Sequence, residues 1–114
     1  MSYKQGSIVW LDFKFTDHSD KKERPVLIIS NSALENFNEV IAVKITTTFR
    51  RDGFGYELKP EMLSEPLDEK SFVRFGTIMT FSVTIFSSRK KPITLKRKYL
   101  DEVIEKVKEV IELE

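Results

Sequence analysis

Lys21-Lys22-Glu23-Arg24-Pro25-Val26-Leu27-Ile28-Ile29-Ser30-Asn31 runs from a charged loop directly into an unbroken apolar strand. From Val26 to Ile29 the residues are branched or apolar with no polar alternate, the pattern of a strand covered on both faces. Asn31 and Ser32 end it. Pro25 locks its own φ, removes a backbone donor and disfavours the α region for Arg24, so Arg24 is held extended where loop becomes strand. A guanidinium fixed in that way is well placed to grip phosphate.

Outward from this strand the chain reads as β-rich. On the N-terminal side Val9, Leu11, Phe13 and Phe15 alternate with Trp10, Asp12 and Lys14, the period-two signature of a half-buried strand. Residues 16–23 form a polar loop. On the C-terminal side residues 39–47, with Val40, Ile41, Val43 and Ile45, give a third strand, and Arg51-Asp52-Gly53-Phe54-Gly55 is rich in turn residues. Residues 56–58 give a short fourth strand. Residues 71–75 and 77–86 are two further strand-like runs separated by Gly76, a bend or bulge. From Leu95 onward, Leu100, Val103, Ile104, Val107, Val110 and Ile111 recur at three- and four-residue spacing and predict an amphipathic helix that closes one side of the sheet.

At 114 residues, 40% hydrophobic and without a Gly/Ser-rich or Pro-rich linker, the chain is expected to form a single domain over residues 1–114 around one core. No apolar run approaches the length of a membrane span, and Met1-Ser2-Tyr3-Lys4-Gln5-Gly6 lacks the apolar region of a secretory signal. A cytoplasmic protein with no membrane partner is expected. With no cysteine and His18 as the single histidine, disulfide and thiolate chemistry are excluded and a structural zinc site is disfavoured. Hydrolytic chemistry should therefore need neither metal nor cofactor.

The net charge of +1 hides clusters. Arg50-Arg51, Arg89-Lys90-Lys91 and Lys96-Arg97-Lys98 are basic, whereas Asp101, Glu102, Glu105, Glu109, Glu112 and Glu114 collect acid toward the end. Local basic patches bind polyanions even on a near-neutral chain, although each alone is equally well a solvated loop end. Lys96, Arg97 and Lys98 stand at the positive end of the predicted helix dipole, which points to retention for a polyanionic partner.

Gly6-Ser7-Ile8-Val9-Trp10-Leu11-Asp12-Phe13, the loop leading into Arg24-Pro25, and Val43-Lys44-Ile45-Thr46-Thr47 together resemble the MazF/PemK (Kid) toxins of toxin–antitoxin modules. The similarity continues through residues 71–81 and the terminal helix. This resemblance implies a mainly β (α+β) fold, a small SH3-like β-barrel of the CcdB/PemK type with a C-terminal α-helix. It also implies a homodimer, a metal-independent endoribonuclease cutting single-stranded RNA such as mRNA, and a cognate antitoxin whose acidic segment blocks the RNA groove.

Carried over position by position, the resemblance makes Arg24 and Thr46 the principal catalytic residues, with His18 and Arg74 at the places of a further histidine and arginine of the Kid-like branch. Asp20, Thr47, Arg50, Arg51, Thr77 and Thr80 are the further candidates for substrate binding, Arg50 and Arg51 as a basic pair in a loop. Some positions depart. Where Kid-like members carry an acid two residues after the later arginine, this chain has Gly76; a Gln and an Arg of the family correspond to Thr77 and Met79, and the glutamate after the histidine to Ser19.

The chemistry of metal-free RNA cleavage can be set beside these residues. The 2′-hydroxyl attacks its own phosphate, so a site must take that proton, protonate the departing 5′-oxygen and stabilise the phosphorane charge. Arg24 supplies a bidentate clamp and Thr46 a hydroxyl hydrogen bond. His18, with an ordinary pKa of about 6.5, and Asp20 are both available as base, while Arg74 assists charge stabilisation. The plainer alternatives are an ion-paired loop arginine at 24, a solvated His18, a strand-end Thr46 and an outward-facing Arg74. A second functional class is a non-catalytic RNA-, antitoxin- or gyrase-binding member of the same fold. Base preference is expected to lie in the loops after the first strands and around residues 50–56.

Overall fold

The computed structural model describes residues 3–12 and 23–114. Among these the strands are β1 (Ser7–Leu11), β2 (Arg24–Ile28), β3 (Glu39–Thr46), β4 (Gly55–Leu58), β5 (Ser71–Ser82) and β6 (Ile93–Thr94), followed by α1 (Arg97–Ile111). Every strand pair is antiparallel, in the order β4-β5-β3-β2-β1-β6. The sheet curls into a half-barrel. Beyond β5 the chain passes through a 3₁₀ turn at Val83–Ile85 and returns to β1, where Phe86 bridges Leu11, Asp12 N–H donates to Ile85 O at 2.9 Å and Ser87 N–H to Trp10 O at 2.8 Å.

Alternation along the strands builds two apolar clusters, not the one core expected from chain length. Val9, Leu11, Val26, Ile28, Val40, Ala42 and Phe86 fill the concave interior. Ile8, Trp10, Leu27, Val43, Ile45, Val73 and Phe75 point to the outer face and meet Leu100, Val103 and Val107 of α1. Strand β2 thus serves both layers, as its unbroken apolar run predicts. Tyr56 of β4 ties the helix to the sheet by donating to Glu102 Oε1 at 2.6 Å.

The runs on either side of Gly76 form one strand, β5, with an interruption. Ile78 pairs with Val43 while Arg74 pairs with the next residue, Lys44, so Phe75, Gly76 and Thr77 leave the β3 ladder as a bulge. Such an excess of residues bends the strand and increases its twist. Phe75 is held instead by the residue just before β4, its N–H donating to Phe54 O at 3.2 Å.

Other boundaries shift. β1 ends at Leu11, and Phe13 and Phe15 lie outside the described residues. β2 begins at Arg24 itself, with Pro25 opposite Trp10. α1 starts at Arg97 and its last apolar positions stay in solvent, Val110 at 40% and Ile111 at 67% exposure, because the sheet ends beneath them. Phe37 is exposed at the end of a 3₁₀ turn at Ser32–Phe37. No helix among the described residues is long and apolar enough to cross a membrane.

Candidate functional site

The register of β2, β3 and β5 brings the candidates together. Val26 faces Lys44 across β2 and β3, and the same ladder carried two residues further sets Arg24 level with Thr46. Across β3 and β5, Lys44 faces Arg74 and Thr46 faces Phe72. Cross-strand partners and alternate residues share a face. Arg24, Lys44, Thr46, Phe72 and Arg74 therefore occupy one face, continuous with the barrel interior and opposite α1.

Each side chain is fixed by local structure. Arg24 is exposed at the first residue of β2, opposite Leu11, and Pro25 contributes no N–H beside it. Among the described residues no ion pair involves Arg24, and the adjacent Glu23 pairs with Arg89 at 3.4 Å. Thr46 closes β3, and its Oγ1 accepts the Thr48 N–H at 3.1 Å, which leaves the hydroxyl proton free to donate. Arg74 is half-buried and doubly bound by Asp52, with Nη1 to Oδ1 at 2.8 Å and Nη2 to Oδ2 at 2.6 Å. This pairing, foremost its hydrogen bonds, raises the Arg74 pKa and draws the Asp52 carboxyl well below the usual carboxylate range, aided by the Phe54 N–H.

The remaining candidates divide. Thr47 alternates with Thr46 and turns to the other side of β2, where it lines a cavity of about 210 Å³ with Trp10, Glu23, Pro25 and Lys90. Thr80 pairs with Ile41, one residue out of phase with Met79, whose side chain packs into the interior, so it too leaves the Arg24 face. Period-two alternation thus sets both apart from the Arg24 face. Thr77 falls within the bulge, and Arg50 and Arg51 are exposed in the β3–β4 loop beside Asp52. His18 and Asp20 lie outside the described residues. Lys96, the N-cap of α1, and Arg97 and Lys98 in its first turn lie on the helix layer, on the other side of the sheet from Arg24. At Gly76 an added Cβ would meet the Phe54 ring at 3.5 Å, an ordinary contact, so this position is open backbone roofed by an aromatic ring.

Three residues escaped the reading of the sequence. Lys44 adds a third cation to the face. Asp52 supplies its carboxylate. Phe49, 63% exposed, rests on the buried Phe72 ring with centroids 5.5 Å apart, and Lys70 Nζ lies 5.9 Å from the same ring's centroid. Lys44 was legible from its spacing of two from Thr46; the other two depend on the path of the loop. A concavity of about 400 Å³, lined by Tyr3, Gln5, Asn31, Ser32, Asn38 and Val40 among others, contains none of these groups. Among the described residues no cluster of three or more His, Asp or Glu side chains is arranged to hold a metal ion.

The arrangement offers two guanidiniums, an ammonium and a hydroxyl donor along one strip, beside an exposed aromatic ring. That combination fits a phosphodiester with an unpaired base.

Comparison with solved structures finds the same fold at low identity. A MazE–MazF complex from Deinococcus radiodurans aligns over 100% of both chains with a TM-score of 0.76 and 19% identity. An endoribonuclease in complex with its cognate antitoxin, from a mycobacterial species, covers 99% of this chain and 98% of its own, with a TM-score of 0.74 and 20% identity. The Mycobacterium tuberculosis toxin MazF-mt6 covers 95% and 98%, with a TM-score of 0.67 and 19% identity. Comparison by sequence with curated proteins finds no match. The model of the PemK-like, MazF-like toxins of type II toxin–antitoxin systems matches residues 4–111, and the chain belongs to that family.

Proposed function

We propose that this chain is a toxin acting as a metal-independent endoribonuclease on single-stranded RNA, mRNA in particular. The observation that carries the reading is the shared face of Arg24, Lys44, Thr46 and Arg74, set by strand register and not by a flexible loop. Arg24 and Arg74 hold the scissile phosphate and take up the charge that grows on its oxygens as the 2′-oxygen attacks phosphorus and the bond to the 5′-oxygen breaks. Thr46 donates its hydroxyl proton to a phosphate oxygen. Lys44 adds attraction for the backbone, and the exposed Phe49 ring accepts an adjoining unpaired base.

Proton transfer falls to the segment before Arg24, where His18 and Asp20 stand in the sequence. Gly76 carries no group to share it, and Asp52 is spent on Arg74. An antitoxin partner is supported by the toxin–antitoxin family and by the likeness in fold to the antitoxin-bound endoribonuclease and the MazE–MazF complex above. An acidic extended segment of such a partner fits the cationic face, and a homodimer is the expected assembly, to be checked by light scattering.

The deciding experiment incubates purified protein with a long single-stranded RNA in excess EDTA. Cleavage to fragments ending in 2′,3′-cyclic phosphate and 5′-hydroxyl is expected, and Arg24→Ala is expected to lower the rate by about 100-fold or more. Intact RNA with binding retained would replace this reading with a non-catalytic RNA- or antitoxin-binding role.

A further inference from the structure

Arg74 lies opposite Lys44 on one side and Gly55 on the other. Two cations directly across a ladder repel each other unless a counter-charge is supplied. Asp52 supplies it, and the segment Asp52-Gly53-Phe54-Gly55 is shaped for that purpose. Asp52 Oδ1 accepts the Phe54 N–H at 3.0 Å, an Asx turn that orients the carboxylate. Gly53 takes a φ of +83°, which a side chain would resist. Gly55, facing Arg74, leaves the guanidinium room: a Cβ there would stand 3.9 Å from Nη1, and a branched side chain would press on it.

The planar guanidinium presents its donors in a rigid fork. Asp52 takes one N–H from each terminal nitrogen, so Nε–H and the outer N–H of each terminal nitrogen remain. The pair is not sealed in the core, since the Arg74 side chain keeps 15% and Asp52 39% of its accessibility.

Resting on the RNA-cleaving reading of this face, we infer that Asp52 is a positioning residue: it clamps one edge of Arg74 so that the remaining donors are presented to the scissile phosphate. It is a carboxylate of the site without being its base. Both oxygens are occupied by Arg74, and a carboxyl held that far below its usual range has little affinity for a proton at neutral pH. Arg74 bound in advance loses less side-chain freedom when RNA docks, and misplacement of such a clamp costs up to about 100-fold in rate.

The test is a double-mutant cycle of Asp52→Asn, Arg74→Ala and the pair, with melting curves to confirm that each variant folds. Cleavage of single-stranded RNA is followed as kcat and KM, and affinity is measured for a non-cleavable 2′-O-methyl oligonucleotide. Asp52→Asn is expected to lower kcat by about 10- to 100-fold with KM within about threefold. In the Arg74→Ala background it should change either readout by less than about twofold, because its effect passes through Arg74. Asp52→Glu should recover part of the rate. The acid limb of the pH–rate profile should keep its midpoint in Asp52→Asn; loss of that limb would make Asp52 the base and overturn the inference. Additive effects, or wild-type kcat in Asp52→Asn, would also overturn it while leaving the ribonuclease reading intact. If the wild-type protein binds RNA without cutting it, the ribonuclease reading falls and the affinity cycle decides on Asp52. A protein that neither cuts nor binds refutes both.

Discussion

Phe49→Leu separates the work of an exposed ring in recognition from its work in folding. Phenylalanine offers roughly 200 Å² of surface, and with 63% of Phe49 in solvent only about 70 Å² is withdrawn from water. At about 25 cal/mol per Å² that burial contributes at most ~2 kcal/mol. Leucine keeps most of the contact with Phe72 and forgoes the ring pair, so stability should fall by about 1 kcal/mol or less, a shift of about 4 °C in Tm for a chain of this size. The loss in RNA binding should be larger in proportion. Stacking of one base on an aromatic ring contributes about 1–3 kcal/mol, equivalent to roughly 5- to 150-fold in Kd. Fluorescence anisotropy with a labelled 2′-O-methyl oligonucleotide reads the affinity, and Phe49→Trp in the same assay should match or exceed wild type. Wild-type affinity in Phe49→Leu with an unchanged melting curve would refute the stacking argument. So would a loss fully accounted for by unfolding.

The remaining expectations concern stability and pH. Replacing Lys96, the uncapped N-cap residue of α1, by Asp should stabilise the protein by about 1 kcal/mol in urea unfolding and leave RNA cleavage unchanged, since the helix lies on the other layer. Val103→Ala, at a side chain with no exposed surface, should cost about 2–3 kcal/mol by loss of two methyl groups plus the cavity left behind, again read by urea unfolding. The Asp52 pKa is depressed in the folded state, so its contribution to stability is fully present above the usual carboxylate value of about 3.9 and is lost only as pH falls below it; Asp52→Asn should flatten the acid end of the stability curve and leave its shape between pH 5 and 8, all about, unchanged. Tyr56 is raised by burial and by its hydrogen bond to Glu102, so its contribution is present below its ordinary value of about 10 and declines in stronger alkali, a decline that Tyr56→Phe should remove from alkaline melting curves.

Strand identity was legible because burial writes a period onto the residues. The unbroken run after Pro25 required cover on both faces, and Leu27 meets the helix layer while Val26 and Ile28 fill the interior. The same period was available to separate Thr46 from Thr47 and to find Lys44, and only the family pattern drew attention to Thr47 and Thr80. What the sequence did not disclose is set by distant geometry. β6 is two residues long, too short to show a period, and is held by pairing with Ser7 and Ile8. Ile111 continues the helical stripe, but no period tells where the sheet beneath a helix stops. Asp52 reaches Arg74 across a separation of 22 residues by means of two glycines and an Asx turn, and nothing in a turn-rich composition names the arginine it will find.

The displaced residues Phe75, Gly76 and Thr77 make β5 a strand with two independent phases. Its outer half aligns Arg74 and Phe72 with Lys44 and Thr46, and its inner half aligns Met79 and Phe81 with Ala42 and Val40. A slip of one residue in the outer half would turn Arg74 toward the helix and Val73 toward the concave face, while the inner half kept every partner. The strip that carries Thr46 and Arg74 is thus a cassette hinged to the barrel, able to be rewritten in charge, aromatic content or loop length without repacking the wall that carries it.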